Sequence, residues 1–456
     1  MDFSIEGRRV LVVGAARSGV AVAELLARRG ARVTVTDLKT AVDGSGALAA
    51  QGIALELGGH DASSFAAADL VVPSPGVKLD QPAFDAARAA GVPIVGELEL
   101  ASRWLKGRVI AITGTKGKST TTTLTGLMLE RAGIDTLVGG NIGVPLSSQV
   151  DRSTPATVHV VEASSFQLES TDTFHPWIAA LLNFSPDHLD QHPTVEAYAA
   201  AKRRIFQRQT PDDFAVVNAE DLPAKTLSRS TAARRVPYGL DLRGDGFTVE
   251  DGHIVARHGG RSEPLAPLTA VHVLGPHMLS DVVAASAIAR TAGAPAGAIA
   301  AAIDAFRGLP HAMQLVATID GIRFVNDSRA TNVEAARRSV ESVDRDLVVV
   351  MGGRYKGGDF RDLLPALTAR GAAVVTLGEA AGRIAEALGE AVRVEPASDM
   401  ADAVARARAM APPGGTVVLA PACSSFDMFR DYAERGEAFA EEVRRLAATR
   451  RATREQ

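Results

Sequence analysis

The segment AITGTKGKSTTTTL, residues 111–124, constrains the fold of this chain more than any other feature. A short apolar run ends at Gly114, two residues lead to Gly117, and a run with helical composition starts at Lys118. A strand, a glycine loop and a helix in this order form a phosphate-binding loop, because glycines expose backbone amides and the helix N-terminus favours an anion. The segment therefore predicts a nucleotide site in an α/β domain.

The loop assigns separate roles to its side chains. Lys118 would reach the β- and γ-phosphates of a nucleotide, and a hydroxyl at the helix start would ligate Mg²⁺. The general pattern has another glycine five positions before Gly117, where this chain has Ile112. The alternative is a glycine-containing helix start with a solvated lysine. The residues predicted to contact the nucleotide are Gly114, Thr115, Lys116, Gly117, Lys118, Ser119 and Thr120.

Strand and helix patterns alternate on both sides of this loop. Residues 8–37 contain a strand, a glycine turn, a helix and a second strand, which is a βαβ unit. Strand patterns start again after residue 307, with a hairpin turn predicted at Asp320-Gly321. We predict an α/β protein of three domains: a Rossmann-like domain 1–97, a central P-loop domain 98–307 with a mostly parallel sheet, and a Rossmann-like domain 308–456.

Composition excludes several classes of protein. The net charge of −4 gives no basic field for nucleic acid, and the single cysteine cannot form an internal disulfide. No apolar stretch approaches the ~20 residues that span a bilayer, and the N-terminus has no signal-peptide pattern. We therefore expect a cytoplasmic protein that neither binds nucleic acid nor inserts into a membrane. We also expect it to be a monomer.

Lysine is rare in this chain, and its positions are informative. Eight lysines stand against 41 arginines. A lysine that survives such a bias is enriched for sites that need a primary amine or a compact charge. Lys202 is followed by two arginines, and Lys356 lies in the glycine-rich loop GGRYKGGDF after an apolar strand. The alternatives are a surface lysine paired with Glu196 at position 202 and an exposed turn cation at position 356.

The P-loop without its first glycine, read as TGTxGKST, resembles the Mur ligase family, which joins amino acids to cell-wall precursors. The later motifs of that family follow in order across nearly the whole chain. The last three are similar to those of the members that add D-glutamate. The motifs are GGNIGVP with Asn141, VVEASSFQLE with Glu162, NFSPDHLDQH with His188, KRRIFQ with Lys202, NDSRATN, GGRYKGGDF and PACSSFDMFRDYAERG.

This resemblance implies an ATP-dependent amide ligase. The substrates would be UDP-N-acetylmuramoyl-L-alanine and D-glutamate, joined through an acyl phosphate with release of ADP and phosphate, in peptidoglycan precursor synthesis. The resemblance makes Lys202 a carbamate formed with CO₂. The implied catalytic residues are Lys118, Glu162, His188 and Lys202, and the implied Mg²⁺ ligands are Ser119, Glu162, His188 and Lys202.

The resemblance also distributes substrate contacts over the three domains. Ser18, Asp37, Lys39 and Gly76 would bind the UDP-sugar, and Asn141 its muramoyl-alanine end. A Rossmann interpretation of the turn GAARSG, residues 14–19, and Asp37 would instead suggest NAD. Thr331 and Lys356 would hold the α-carboxylate of the amino-acid substrate. Ser425 and the region of Tyr432 would hold its side-chain carboxylate. His277 and Asp327 would contact the nucleotide.

Some positions depart from the family pattern. Met278 stands where the family has an adenine-reading asparagine, and Ala312 where it has an arginine that reaches the nucleotide. Arg329 replaces a lysine and Tyr432 a phenylalanine. Two other functions stay open: a Mur-type ligase for another precursor or amino acid, including L-glutamate, and a nucleotide-binding regulatory protein with weak turnover.

Overall fold

The computed structural model describes residues 4–186, 192–273, 275–343 and 345–454. The predicted site residue His188 lies outside these described residues. Backbone contacts divide the chain into two compact units. One comprises the described residues within 1–268 and 280–303, and the other those within 269–279 and 304–456.

The N-terminal region alternates strands with helices. Its elements are β1 (Arg9–Val13), α1 (Arg17–Arg28), β2 (Arg32–Asp37), α2 (Ser45–Ala50), β3 (Ala54–Leu57), α3 (Ala62–Ala67), β4 (Leu70–Pro73) and α4 (Pro82–Ala89). The four strands are parallel and pair in the order β3-β2-β1-β4. Apolar residues on both faces of β1, such as Leu11 and Val12, are buried, as expected for a parallel sheet covered by helices on both sides.

The central region contains a nine-stranded sheet. Its elements are α5 (Glu97–Ser102), β5 (Arg108–Thr113), α6 (Lys118–Arg131), β6 (Thr136–Gly140), β7 (Val158–Glu162), α7 (Ser165–Glu169), β8 (Ile178–Leu181), α8 (Val195–Arg203), β9 (Phe214–Asn218), α9 (Leu222–Leu227), β10 (Arg234–Tyr238), β11 (Gly246–Glu250), β12 (His253–His258), β13 (Arg261–Pro267), α10 (Pro276–Thr291) and α11 (Ala296–Ala305). The strand order is β13-β12-β11-β10-β9-β8-β5-β7-β6. Only the pairs β11·β12 and β12·β13 among these described strands are antiparallel, so the sheet is mostly parallel, as predicted.

The C-terminal region has a six-stranded sheet. Its elements are β14 (Gln314–Ile319), β15 (Ile322–Asn326), α12 (Val333–Glu341), β16 (Leu347–Gly352), α13 (Leu364–Ala369), β17 (Ala373–Leu377), α14 (Ala381–Leu388), β18 (Arg393–Pro396), α15 (Met400–Met410), β19 (Thr416–Leu419) and α16 (Tyr432–Arg454). The order is β14-β15-β19-β16-β17-β18. The predicted hairpin is confirmed: β14 and β15 are antiparallel, and Asp320 and Gly321 both have positive φ, at 50° and 81°, as a tight primed turn requires.

The α/β fold predicted from the sequence is therefore present, with three separate sheets in the part of the chain that the structure describes. The predicted boundaries at 97/98 and 307/308 fall between these sheets, but their exact positions stay predictions. Among the described residues, none of the helices combines the length and the apolar character needed to cross a bilayer.

Candidate functional site

The P-loop lies at the carboxyl edge of the central sheet. The strands β5, β7 and β8 are parallel neighbours, so the residues that follow them meet at one edge, where α/β proteins bind ligands. Ile112, which replaces the first glycine of the general pattern, is a fully buried residue of β5. The strand therefore continues through this position, and the loop starts only after Thr113.

The conformation of Gly117 explains why glycine is needed there. Gly117 caps helix α6 in the left-handed region, with φ of 80°. A Cβ at this position would also collide with the carboxylate of Asp281, which packs directly against it. Both the backbone and the packing therefore exclude a larger residue, and the N-terminus of α6 favours an anion.

Asn183 holds the beginning of the loop. Its side-chain oxygen accepts hydrogen bonds from the backbone amides of Thr115 at 3.0 Å and Lys116 at 2.9 Å, and its backbone carbonyl accepts a second bond from Thr115. The hydroxyl of Thr115 lies 3.3 Å from that of buried Tyr198. Sequence reasoning missed both Asn183 and Tyr198, although Asn183 opens the motif that contains His188.

Two of the rare lysines converge on one carbonyl oxygen. Lys118 Nζ donates to the carbonyl of Gly114 at 3.0 Å and to that of Thr115 at 3.1 Å. Lys202 Nζ donates to the same Gly114 oxygen at 2.7 Å and lies over the ring of Tyr198. The side chain of Lys202 is buried, with 1% exposure, so the alternative of a surface lysine is wrong.

Glu162 connects the P-loop to the adjacent strand end. This residue ends β7 and is 1% exposed. Its carboxylate accepts a hydrogen bond from the hydroxyl of Ser119 at 2.7 Å and another from the amide of Asn141 at 2.7 Å. Two predicted Mg²⁺ ligands are thus brought together, and Asn141, predicted to contact substrate, here orients the carboxylate.

The donor set at this edge fits Mg²⁺, which prefers oxygen ligands. The hydroxyl of Ser119 and the carboxylate of Glu162 are adjacent oxygen donors beside the phosphate loop. Within the ranges that the structure describes, no group of three or more His, Cys, Asp and Glu side chains gathers around a common point. The contribution predicted for His188 lies outside those ranges.

Asp281, which sequence reasoning also missed, places an acidic group against the P-loop. Its side chain is buried on α10 beside Gly117. Burial raises the pKa of Asp281 to about 7, although the positive charge of Lys118 opposes this shift. A carboxyl group whose charge changes near neutral pH therefore lies against the P-loop.

The predicted nucleotide-sugar residues lie at the carboxyl edge of the N-terminal sheet. Asp37 ends β2, and its carboxylate accepts bonds from the amides of Ala15 at 2.7 Å and Lys39 at 2.9 Å. Burial alone would raise the pKa of Asp37, but these amides outweigh it and the pKa lies below its ordinary value. Asp37 thus shapes the glycine turn as well as lying beside it. Ser18 is half-buried in α1, and the side chain of Lys39 is exposed.

A cleft of about 760 Å³ opens beside this edge. The loop after β4, which includes Gly76, forms one side, and Phe166, Gln167 and His192 lie on the other. Buried Ser74 fixes the loop by donating to the carbonyl of Gly14 at 2.9 Å. The volume of this cleft falls within the usual range for small-molecule sites. The cleft is therefore large enough for a sugar nucleotide.

The residues predicted to bind the amino acid lie on three loops of the C-terminal region. Thr331 is half-buried before α12, Lys356 is exposed after β16, and Ser425 is buried after β19. Tyr432 begins α16 and is 41% exposed. All three loops follow the carboxyl ends of strands β15, β16 and β19, which are neighbours in the sheet. The exposure of Lys356 leaves the alternative of a turn cation open.

The other predicted nucleotide contacts have local partners. Asp327 accepts hydrogen bonds from the amide of Met313 at 3.1 Å and from the hydroxyl of Ser339, and burial raises the pKa of its carboxyl group. His277 lies at the start of α10, with Nε2 3.5 Å from the hydroxyl of Ser342. Met278 is buried and Ala312 is half-buried.

Three domain models match consecutive parts of the chain. Residues 8–96 match the Mur ligase MurD-like N-terminal domain, residues 112–289 the Mur ligase middle domain, and residues 312–423 the Mur ligase glutamate ligase domain. Among solved structures, the UDP-N-acetylmuramate-alanine ligase MurC of Thermotoga maritima is 19% identical with a TM-score of 0.58, covering 96% of this chain and all of that one. This similarity supports the fold alone.

Curated relatives are much closer in sequence. The UDP-N-acetylmuramoylalanine–D-glutamate ligase of Acidobacterium capsulatum is 45% identical over 441 residues, covering 95% of this chain and 96% of the relative. The protein of the same name from Anaeromyxobacter dehalogenans is 45% identical over 457 residues, covering 97% and 98%. With this identity over nearly its full length, the chain belongs to the Mur ligase family.

Proposed function

We propose that this protein is an ATP-dependent ligase that joins D-glutamate to UDP-N-acetylmuramoyl-L-alanine in peptidoglycan precursor synthesis. The observation that carries the proposal is identity of 40–45% over nearly the whole chain to relatives named for this reaction. Such a ligase needs phosphate contacts, which the P-loop would supply, and oxygen ligands for a metal ion, which the adjacent Ser119 and Glu162 would supply.

The reaction requires activation of a carboxylate. A carboxylate oxygen of UDP-N-acetylmuramoyl-L-alanine attacks the γ-phosphorus of ATP, ADP leaves, and an acyl phosphate forms. The amine of D-glutamate then attacks the acyl carbon, phosphate leaves, and an amide remains after loss of a proton. Negative charge moves across the phosphate oxygens during the first step, so positioned cations dominate the stabilisation.

Lys118 is suited to follow this moving charge. Its ammonium donates to neutral carbonyl oxygens of the P-loop, those of Gly114 and Thr115. A compact ammonium on a flexible stem can exchange these neutral acceptors for phosphate oxygens. We propose that Lys118 leaves the loop carbonyls when ATP binds and contacts the β- and γ-phosphates.

Ser119 and Glu162 would hold Mg²⁺, with Asn141 keeping the carboxylate of Glu162 in place. Bound Mg²⁺ would neutralise phosphate charge and orient the γ-phosphate. Lys202, as a carbamate, would add anionic oxygens to this site, while its remaining N–H could still donate to Gly114. His188 remains a proposed ligand from the family resemblance.

The substrates would be distributed over the three regions. We place the UDP-sugar at the N-terminal sheet edge, near Ser18, Asp37, Lys39 and Gly76. D-Glutamate would lie on the C-terminal loops that carry Thr331, Lys356, Ser425 and Tyr432. The cytoplasmic location and the monomeric state expected from the sequence also stay predictions.

A phosphate-release screen tests the proposal. The enzyme is assayed with ATP, Mg²⁺ and UDP-N-acetylmuramoyl-L-alanine against a panel of D- and L-amino acids, with each component omitted in turn. We expect release that requires all components and is fastest with D-glutamate. Faster turnover with L-glutamate would reassign the amino acid, and no coupled turnover would favour the regulatory alternative.

A further inference from the structure

Arg435 is the largest fully buried side chain among the described residues, with 2% exposure, and none of the roles above uses it. The residue lies in the first turn of α16, beneath the C-terminal loops predicted to bind the amino acid. Arginine is seldom buried to this degree without a paired acid, because removing its charge from water is costly. Its contacts therefore require an explanation.

The guanidinium connects three separate segments. Its Nε donates to the hydroxyl of Ser328 at 3.0 Å, and Nη2 donates to the carbonyl of the same residue at 3.0 Å. Nη1 donates to the carbonyl of Cys423 at 3.1 Å and to that of Gly352 at 3.4 Å. One side chain thus joins the ends of β15, β16 and β19, the three strands whose loops carry Thr331, Lys356 and Ser425.

The same loops are also joined to one another. Arg354 and Ser424 exchange backbone hydrogen bonds at 2.9 and 3.0 Å. The amide of Ala422 donates to the carbonyl of Ala330 at 2.9 Å. The hydroxyl of Ser328, which accepts from Arg435, donates in turn to the carbonyl of Tyr432 at 2.7 Å. A displacement of the guanidinium would therefore change the positions of all three loops.

The charge of Arg435 is only weakly balanced. All four of its hydrogen-bond acceptors are neutral, three carbonyl oxygens and one hydroxyl, and the described residues show no ion pair to it. Burial lowers the pKa of Arg435 to about 10, an effect that the negative charge of Asp427 opposes. The side chain remains cationic at neutral pH, so its positive potential extends to the loop residues that it contacts.

We propose that Arg435 is a positioning residue for the amino-acid substrate: its buried guanidinium fixes the three C-terminal loops in register and supplies positive potential for the carboxylates that bind there. The inference rests on the proposed function, because it assumes that these loops bind an acidic amino acid. Arg435 acts through the loops and does not itself contact the substrate.

A purely structural role predicts a different result. If Arg435 only stabilised the fold, its replacement would lower the melting temperature and the active fraction, while leaving every KM unchanged. A positioning role affects the KM of the amino acid selectively, because the P-loop and the nucleotide-sugar edge belong to other sheets. The KM values of the three substrates therefore separate the two explanations.

The test compares Arg435→Lys with wild type and with Arg445→Lys, a matched control. Arg445 lies on the same helix but is exposed and paired with Glu441 and Glu442. Lysine keeps the charge of Arg435 but loses the fork that reaches three segments. We expect the KM for the amino acid to rise about tenfold or more, with the KM values for ATP and the UDP-substrate within about twofold and the control unchanged.

A second measurement does not depend on substrate identity. Hydrogen exchange of the full-length protein should show faster exchange in Arg435→Lys at all three loops, around residues 328–331, 352–356 and 423–425. If the lysine variant does not fold, Ser328→Ala, which removes one acceptor, should give a smaller rise in the same KM. Unchanged exchange together with unchanged or uniformly changed KM values would overturn the proposal.

The two proposals fail in distinguishable ways. If wild type prefers another amino acid, the proposed function is wrong in its substrate, and the comparison is run with the preferred amino acid. If wild type uses D-glutamate but Arg435→Lys keeps its KM and its loop protection, the proposed function stands and the role of Arg435 is wrong.

Discussion

Positive side chains are hydrogen-bonded differently at the P-loop and under the C-terminal loops. At the P-loop, the ammonium groups of Lys118 and Lys202 share the carbonyl oxygen of Gly114. Under the C-terminal loops, the guanidinium of Arg435 bonds four acceptors in three segments. An ammonium on a flexible stem has rotatable donors that can exchange acceptors, whereas a guanidinium holds its donors in a rigid planar fork. The first arrangement suits groups that change partners during reaction, and the second suits a permanent support.

The largest effect should come from Lys202. We expect Lys202→Ala to lose about a thousandfold in turnover, near the upper range for removing one preorganised electrostatic group. If Lys202 reacts with CO₂ to a carbamate and a proton, acetate or formate should restore part of the activity by replacing the missing carboxylate. Steady-state rates with and without these acids provide the measurement.

Lys202→Arg is the matched control for that experiment. It keeps a cation at the buried site but can neither form the carbamate nor leave a space for a small acid. We expect that neither acetate nor formate restores the activity of Lys202→Arg. If Lys202→Ala retained most of its turnover in bicarbonate-free buffer, Lys202 would be only a buried cation beside the P-loop. Lys202 would then be a permanent support like Arg435, and the comparison would hold only for Lys118.

Lys118→Arg should have the next largest effect. The half-buried ammonium lies within a loop whose Gly117 is packed against Asp281, which leaves little space for a planar guanidinium. We expect turnover to fall about a hundredfold, or about 2.7 kcal/mol of lost transition-state stabilisation. Near-normal kcat in a phosphate-release assay would mean that a fixed cation is sufficient at this position.

Asp281→Asn should change the pH dependence of stability. The folded pKa of about 7 lies above the ordinary 3.8, so folding takes up a proton between these values, and stability falls as pH rises through 7. Asparagine removes this loss. We expect the variant to gain about 3 kcal/mol over wild type between pH 5 and pH 8, most of it below pH 7, measured by urea unfolding.

Asp212→Asn provides the comparison for that prediction, because the side chain of Asp212 is 93% exposed. Replacing this solvated carboxyl group should change the unfolding free energy by less than about 0.5 kcal/mol. A pH-independent difference between Asp281→Asn and wild type would show that the acid beside the P-loop is not held neutral by burial.

The smallest effect is expected at Lys356. This lysine is exposed in its glycine-rich loop, so arginine can be accommodated there. We expect Lys356→Arg to raise the KM for the amino acid only a few-fold, or under about 1 kcal/mol. A hundredfold loss would show that Lys356 needs a compact ammonium as Lys118 does, and that the lysine chemistry extends to the C-terminal loops.

Sequence reasoning located what depends on local pattern. The P-loop, the strand end that carries Glu162 and the Asp320-Gly321 turn all follow from residue order along the chain. The scarcity of lysine also singled out Lys202, which the structure buries at the P-loop. The P-loop and Glu162 lie together because parallel strands bring their carboxyl ends to a single edge. The roles predicted for these residues in binding and catalysis stay predictions.

The residues that were missed act across long sequence separations. Asn183 accepts a hydrogen bond from Thr115, more than sixty residues earlier in the chain. Asp281 packs against Gly117 from a helix that is distant in sequence. Arg435 was part of a quoted motif, but its contacts to Ser328 and Gly352 depend on the order of strands in the sheet. Such contacts have no periodic signal in the sequence. Asn141 lies within a predicted motif, but its hydrogen bond to Glu162 was not predicted.

The acyl phosphate is tested most directly by oxygen transfer. UDP-N-acetylmuramoyl-L-alanine labelled with ¹⁸O in its carboxylate is turned over with ATP and D-glutamate, and the released phosphate is analysed by mass spectrometry. Because a carboxylate oxygen attacks the γ-phosphorus and leaves with the phosphate, we predict one ¹⁸O in each phosphate released. Unlabelled phosphate, with amide product still formed, would contradict activation of the carboxylate by phosphorylation.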